Sequence, residues 1–204
     1  MFFSRDNFSN RASIITRLPR KNESKALEEL EIECKVLKGT HEDGAGFSPI
    51  SVCTMYENKE NSYRFLLETI GTIEPKVIVR DAIINLIERC ENIINNLNKE
   101  SYVIDEANSN FKGIDFKLTG ETHTIGNLLY QWLYDSYIVK KNDILSHVSY
   151  HEPHPLKKEI IFRIGLNNPS DDYDEHLEIA KKIMIDGTKD LQLFLTYMLK
   201  KWKV

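Results

Sequence analysis

A chain of 204 residues, 41% hydrophobic and 28% charged, carries enough apolar material for one large domain or two small ones, and its composition is that of an ordinary globular protein. A formal net charge of -4 argues against direct gripping of phosphate backbones, which calls for a basic excess or a basic stripe. Cys34, Cys53 and Cys90 are too few and too far apart for a disulfide framework or a cysteine-rich zinc knuckle, and no apolar run is long enough to span a bilayer.

The opening MFFSRDNFSNR lacks the continuous apolar core of a signal peptide. Residues 1–29 read as an N-terminal segment with a short strand at 13–18, ended by Pro19. Leu30, Ile32, Cys34 and Val36 alternate with Glu31, Glu33 and Lys35, a period of two that predicts a strand with one wet face. A glycine-rich loop, GTHEDGAGFSP, follows, and strands are predicted at 50–56 and 63–67. Pro75 marks the first position of a helix running to about Lys99, with Val79, Ile83, Leu86, Ile87, Cys90, Ile94 and Leu97 on one face. Residues 30–100 thus form a first module, and 101–110 is read as a polar linker.

The second module, 111–204, begins with a strand at 111–118. Thr122 and Thr124 are capping candidates for a helix over 124–139 whose apolar face is Ile125, Leu128, Leu129, Trp132, Leu133 and Tyr137. Strands at 144–150 and 159–166 flank a loop rich in proline and histidine. A last helix starts near Ser170-Asp-Asp, a capping site with acid in the first turn, and carries Leu177, Ala180, Met184, Leu191, Phe194, Leu195, Met198 and Leu199 as its stripe, interrupted by Gly187. The predicted class is α+β: antiparallel sheets, each packed by long helices, in two modules of related plan.

Chemistry is less evident. His147, His151 and His154 invite a metal-site reading, but Pro153 and Pro155 forbid the regular helix that would align two of them as zinc ligands. A rigid turn between strands is the plainer reading, with a metal-dependent enzyme as a distant alternative. GTHEDGAGFSP lacks the lysine and hydroxyl that a phosphate-binding loop carries after its last glycine, and a strand rather than a helix follows it. No serine–histidine–acid arrangement is legible, and no catalytic residue or cofactor is assigned. The helix stripes either close on their own sheets or meet one another, or another chain, as an interface; the second reading is favoured.

One resemblance organises these elements. Glu121-Thr-His-Thr-Ile-Gly-Asn-Leu-Leu129 and Val148-Ser-Tyr-His-Glu-Pro-His-Pro-Leu-Lys-Lys-Glu-Ile-Ile-Phe-Arg-Ile164 resemble the eleventh subunit of eukaryotic RNA polymerase II and its archaeal L-type relatives. Lys38-Gly39, Ala45-Gly-Phe-Ser-Pro49 and Phe65-Leu-Leu-Glu-Thr-Ile-Gly-Thr-Ile-Glu-Pro75 are similar to its partner, the third-largest subunit, and to bacterial alpha. The family loop has a second glycine, a histidine and a basic residue where this chain has His41, Gly44 and Gly46, so the resemblance does not extend to that loop's contact with the second-largest subunit. Fusion in the order third-like then eleventh-like suggests a large DNA virus.

The resemblance implies two modules like the alpha N-terminal domain, paired through their helices as a platform for the two largest polymerase subunits. The helices over 124–139 and 172–200 would pack against that over 75–98. The implied assembly interface comprises His123, Thr124, Ile125, Gly126, Asn127, Leu128, Leu129, Trp132 and Leu133, the loop residues Pro153, His154 and Pro155, Ile83, Leu86 and Ile87 of the first helix, and Leu191, Phe194 and Leu195 of the last. Within it Gly126 would permit close approach, and His123 and Asn127 would tie the turn by hydrogen bonds. Implied partners are the two largest subunits, small polymerase subunits, and a separate chain completing the first module, whose pairing helix and inserted domain have no counterpart here. DNA and RNA would be met only indirectly, and no membrane is implied. Location would follow transcription: host cytoplasm, virus factory and virion for a viral protein, the nucleus otherwise. A free-standing interaction adaptor with the same fold is the alternative.

Overall fold

The structure, a computed structural model, describes residues 31–41, 43–71, 73–107, 112–140 and 144–202. The expected strand at 13–18 lies outside them. The fold is α+β, with helices and two antiparallel sheets, and it divides into two compact units, one up to Val79 and one from Arg80 onward.

In the first unit, β1 (Ile50–Lys59) and β2 (Ser62–Thr69) form a hairpin. Asn61 turns the chain with φ 58, a left-handed conformation that asparagine tolerates better than most residues. Before the hairpin, Ala45–Phe47 makes one 3-10 turn. Gly39 lies against the ring of Phe47, where a Cβ would sit 2.9 Å from ring carbons. The strand expected over 30–36 does not form: residues 31–38 are irregular, with Ile32, Val36 and Leu37 exposed. Alternation chooses a face, but a strand also needs a neighbour for its backbone groups, and among the described residues this segment has none.

The second unit holds α1 (Pro75–Asn98) from Arg80 on, and its sheet runs β3-β4-β6-β5, every neighbour antiparallel. β3 is Val103–Glu106, β4 Gly113–Thr119, β5 Leu145–His151 and β6 Glu159–Leu166. The expected linker at 101–110 therefore supplies an edge strand, and the compact units part inside α1 instead. The strand is only four residues long and half of it is acidic, which hid it, yet Tyr102 and Ala107 on either side of it are buried.

Alternation does the rest. Ile114, Phe116 and Leu118 on β4 and Ile160, Phe162 and Ile164 on β6 all point to one fully buried face. Two helices complete that core with Ile125, Leu129 and Leu133 from α2 (His123–Leu133) and Ala180, Met184 and Leu191 from α3 (Tyr173–Lys201). On the opposite face Asp115 and Arg163, directly across the β4–β6 pair, form a two-pronged ion pair at 2.6 and 2.7 Å. α3 is continuous through Gly187, and Asp172 caps it by accepting the Asp174 N–H at 3.0 Å. No helix among the described residues is long and apolar enough to cross a membrane.

Candidate assembly surface

The stretch from Glu121 to Leu129 is built around a four-residue step. Ile125, Leu129 and Leu133 recur on one face of α2 and are wholly buried. Gly126 stands beside them, and a Cβ there would lie 2.8 Å from the Tyr150 ring and 2.9 Å from Ile160 Cδ1. Its missing side chain brings α2 down onto β5 and β6. The first turn is tied to the loop after β5 by His123, whose Nε2 is 3.0 Å from Glu152 Oε2 and whose ring meets Tyr150 edge-on at 5.7 Å. The segments 121–129 and 148–164 thus pack on each other.

The second expected tie is not made. Asn127 is exposed and its side chain makes no hydrogen bond among the described residues, and Thr124 is exposed as well. Thr122 occupies the cap position without a side-chain hydrogen bond. Pro153, His154 and Pro155 are exposed in the turn, where His154 Nδ1 accepts the Leu156 N–H at 3.1 Å.

α1 is fastened to this turn by a pair the sequence did not reveal. Glu121 is buried and accepts Arg89 Nε at 2.8 Å, with the neighbouring guanidinium nitrogen on the same oxygen. The adjacent Cys90 thiol is pushed up to about 11, chiefly by burial and then by Glu121, so it is an inert packing group. Ile83 is buried on α1 with Ile93, Ile94 and Leu97, whereas Leu86 and Ile87 are half-buried.

Where α2 meets α3, glycine again sets the spacing. A Cβ on Gly187 would fall 2.2 Å from Leu133 Cδ2. α2 then passes into a π-helical segment, Tyr134–Val139. A four-residue step overshoots a full turn of α-helix and undershoots the wider π-turn, so the two drifts offset and Tyr137 stays buried in line with Leu133. Trp132 stacks on Phe194 at 5.1 Å. Leu191 and Leu195 are buried, but Phe194 and Met198, expected in the buried stripe, are exposed. The inner face is centred on Ala180, Met184, Leu191 and Leu195, which carries 194 and 198 to its flank. With Leu193 at 67% exposure and Tyr197 at 58%, they give the C-terminal part of α3 a second apolar face.

The three clustered histidines have separate surroundings. His147 Nε2 lies 2.8 Å from Ser149 Oγ, His151 is exposed at the end of β5, and His154 serves its turn. Among the described residues no group of three histidine, cysteine or acidic side chains is arranged to hold a metal ion.

His176 is the histidine that sequence reading passed over, although it sits on the period of the α3 stripe, four residues before Ala180. It is buried, and its Nε2 has no hydrogen-bond partner among the described residues. Burial first, then the Lys112 ammonium, lowers its pKa below 6.5, opposed by Glu106. The unfolded chain therefore binds a proton that the folded chain refuses. Stability is full above pH 6.5 and declines as pH falls from there toward the lowered folded-state value. The melting temperature is expected to drop between about pH 7.5 and about pH 5.5, and to drop less in His176→Leu. Equal drops in the two proteins would remove His176 from this account.

Neither a scan against models of protein families nor a search of curated proteins returns a match for this chain.

Proposed function

We propose that this chain is a non-catalytic assembly subunit of a multisubunit DNA-dependent RNA polymerase, a fused homologue of the third and eleventh subunits encoded by a large DNA virus. It acts as the alpha-like platform on which the two largest subunits assemble, and it meets nucleic acid only through them. The observation that carries the reading is the second apolar face of α3, Leu193, Phe194, Tyr197 and Met198, on a helix whose other face already closes a core. The mutual packing of segments 121–129 and 148–164 supports it too, since these are the stretches that resemble the eleventh subunit.

Affinity purification of the tagged chain from its native source at moderate salt, with mass spectrometry, tests the proposal. Two very large subunits are expected to co-purify. A Leu193→Glu/Tyr197→Glu variant is expected to lose them while melting like the wild type, because both positions are exposed. Capture of neither large subunit by the wild type would leave a free-standing interaction adaptor as the better description. Undiminished capture by the variant would take the role away from α3.

A further inference from the structure

The β1–β2 hairpin raises a separate question. A two-stranded hairpin is marginal on its own, and stability comes with a third strand or a covered apolar face. Cys53, Met55, Tyr63, Phe65 and Leu67 share one face of this hairpin, and of these only Leu67 is even half-buried. Its two edges are not equivalent. The register of β1 is broken twice, between Ile50 and Val52 and between Glu57 and Lys59, so bulges interrupt that edge at both ends. β2 is unbroken from Ser62 to Thr69 and, among the described residues, pairs with β1 alone. Bulges protect an edge from further pairing, and a long regular edge invites it.

The order of residues along β2 suits one partner in particular. Laid antiparallel to a second copy of itself about Leu66, β2 places Arg64 opposite the other copy's Glu68 and Glu68 opposite its Arg64. On that same face Leu66 meets itself, and on the other face Phe65 meets Leu67 and Leu67 meets Phe65. Both charge pairs are attractive, and every apolar residue in the centre faces an apolar one. This self-complementarity is what a two-fold interface requires. We infer that β2 is a self-association edge through which two copies of this chain form a four-stranded antiparallel sheet, β1-β2-β2-β1, with Cys53, Met55, Phe65 and Leu67 of both copies together on one face. The inference concerns the first unit and does not rest on the polymerase reading.

Sedimentation of the full chain as a function of concentration is the test, with Arg64→Glu and Glu68→Arg made singly and together. The wild type is expected to dimerise. Each single change sets like charges against each other twice and is expected to weaken self-association about tenfold or more. The double change restores both attractions and is expected to dimerise like the wild type. An equimolar mixture of the two single variants is expected to form heterodimers, because one chain then presents two acidic and the other two basic partners. That mixture also guards against misfolding, since damaged hairpins would not pair. A monomeric wild type would assign the edge to some other strand and overturn the inference. So would single variants that associate as tightly as the wild type, or a mixture that stays monomeric.

Discussion

Leu129→Asp is expected to abolish cooperative folding of the unit from Arg80 onward. Leu129 is wholly buried at the centre of α2, between Ile125 and Leu133, in the unit whose core also holds the fully buried Phe116 and Phe162. Removing the leucine side chain alone costs about 2–5 kcal/mol. A carboxylate in its place has no cation among these apolar neighbours, which adds several kcal/mol of desolvation or forces the group to stay protonated. The sum approaches the whole stability of a small domain, about 5–15 kcal/mol. Leu129→Ala separates the two contributions. In urea it should unfold cooperatively at a reduced midpoint, whereas Leu129→Asp should show no native baseline near neutral pH and regain structure as the carboxyl is protonated. A cooperative transition for Leu129→Asp within about 1 kcal/mol of Leu129→Ala would mean that water reaches this position.

Gly187→Val carries the second largest effect. On an open helix surface, replacing glycine with a side chain stabilises, by up to about 1 kcal/mol for alanine. Here a Cβ would sit 2.2 Å from Leu133 Cδ2 and 3.6 Å from the Tyr137 ring, and both side chains are buried. Valine adds two methyl groups to that clash. The expected cost is about 3 kcal/mol, since the packed core must move α2 away from α3 or drive Leu133 off its rotamer. Gly187→Ala sets the propensity gain against the smaller clash and should be destabilising by about 1 kcal/mol. Adding Leu133→Val to Gly187→Ala should recover part of that loss, because the atom being struck is gone, and a double-mutant cycle measures the coupling. If Gly187→Ala raised the melting temperature, the helices could not be as close as this.

Much of this architecture was legible because periodicity is a property of single elements. α1, β4, β5, β6 and α3 announced themselves by their spacing of apolar residues, and Pro75 and Asp172 marked the helix starts as expected. What escaped depends on pairs. β3 is too short and too acidic to carry a pattern, and only its pairing with β4 makes it a strand. The segment 31–38 failed in the opposite sense, having the pattern without the neighbour. In α2, Ile125, Leu129 and Leu133 fall on one buried face as their helical spacing implies. The Arg89–Glu121 pair joins residues 32 positions apart, and no single-segment signal marks such a tie. Gly187 read as a weakness in a helix. It is instead the close contact that lets two helices share a core.

The strand order has a consequence for how quickly the chain finds its fold. β5 and β6 are joined by a short turn in which Pro153 and Pro155 already restrict the backbone, so their hairpin closes locally. β4, the other neighbour of β6, enters from the far side, with α2 and β5 intervening; Asp115 and Arg163 are 48 positions apart. Closing that larger loop sacrifices chain entropy before any contact repays it, so the β4–β6 seam is expected to form at the rate-limiting step, as folding rates of seam variants by stopped flow would show. The two-pronged Asp115–Arg163 bond sits in the middle of that seam. Weakening it should slow folding more than it speeds unfolding, whereas changes in the β5–β6 turn should leave the folding rate nearly untouched.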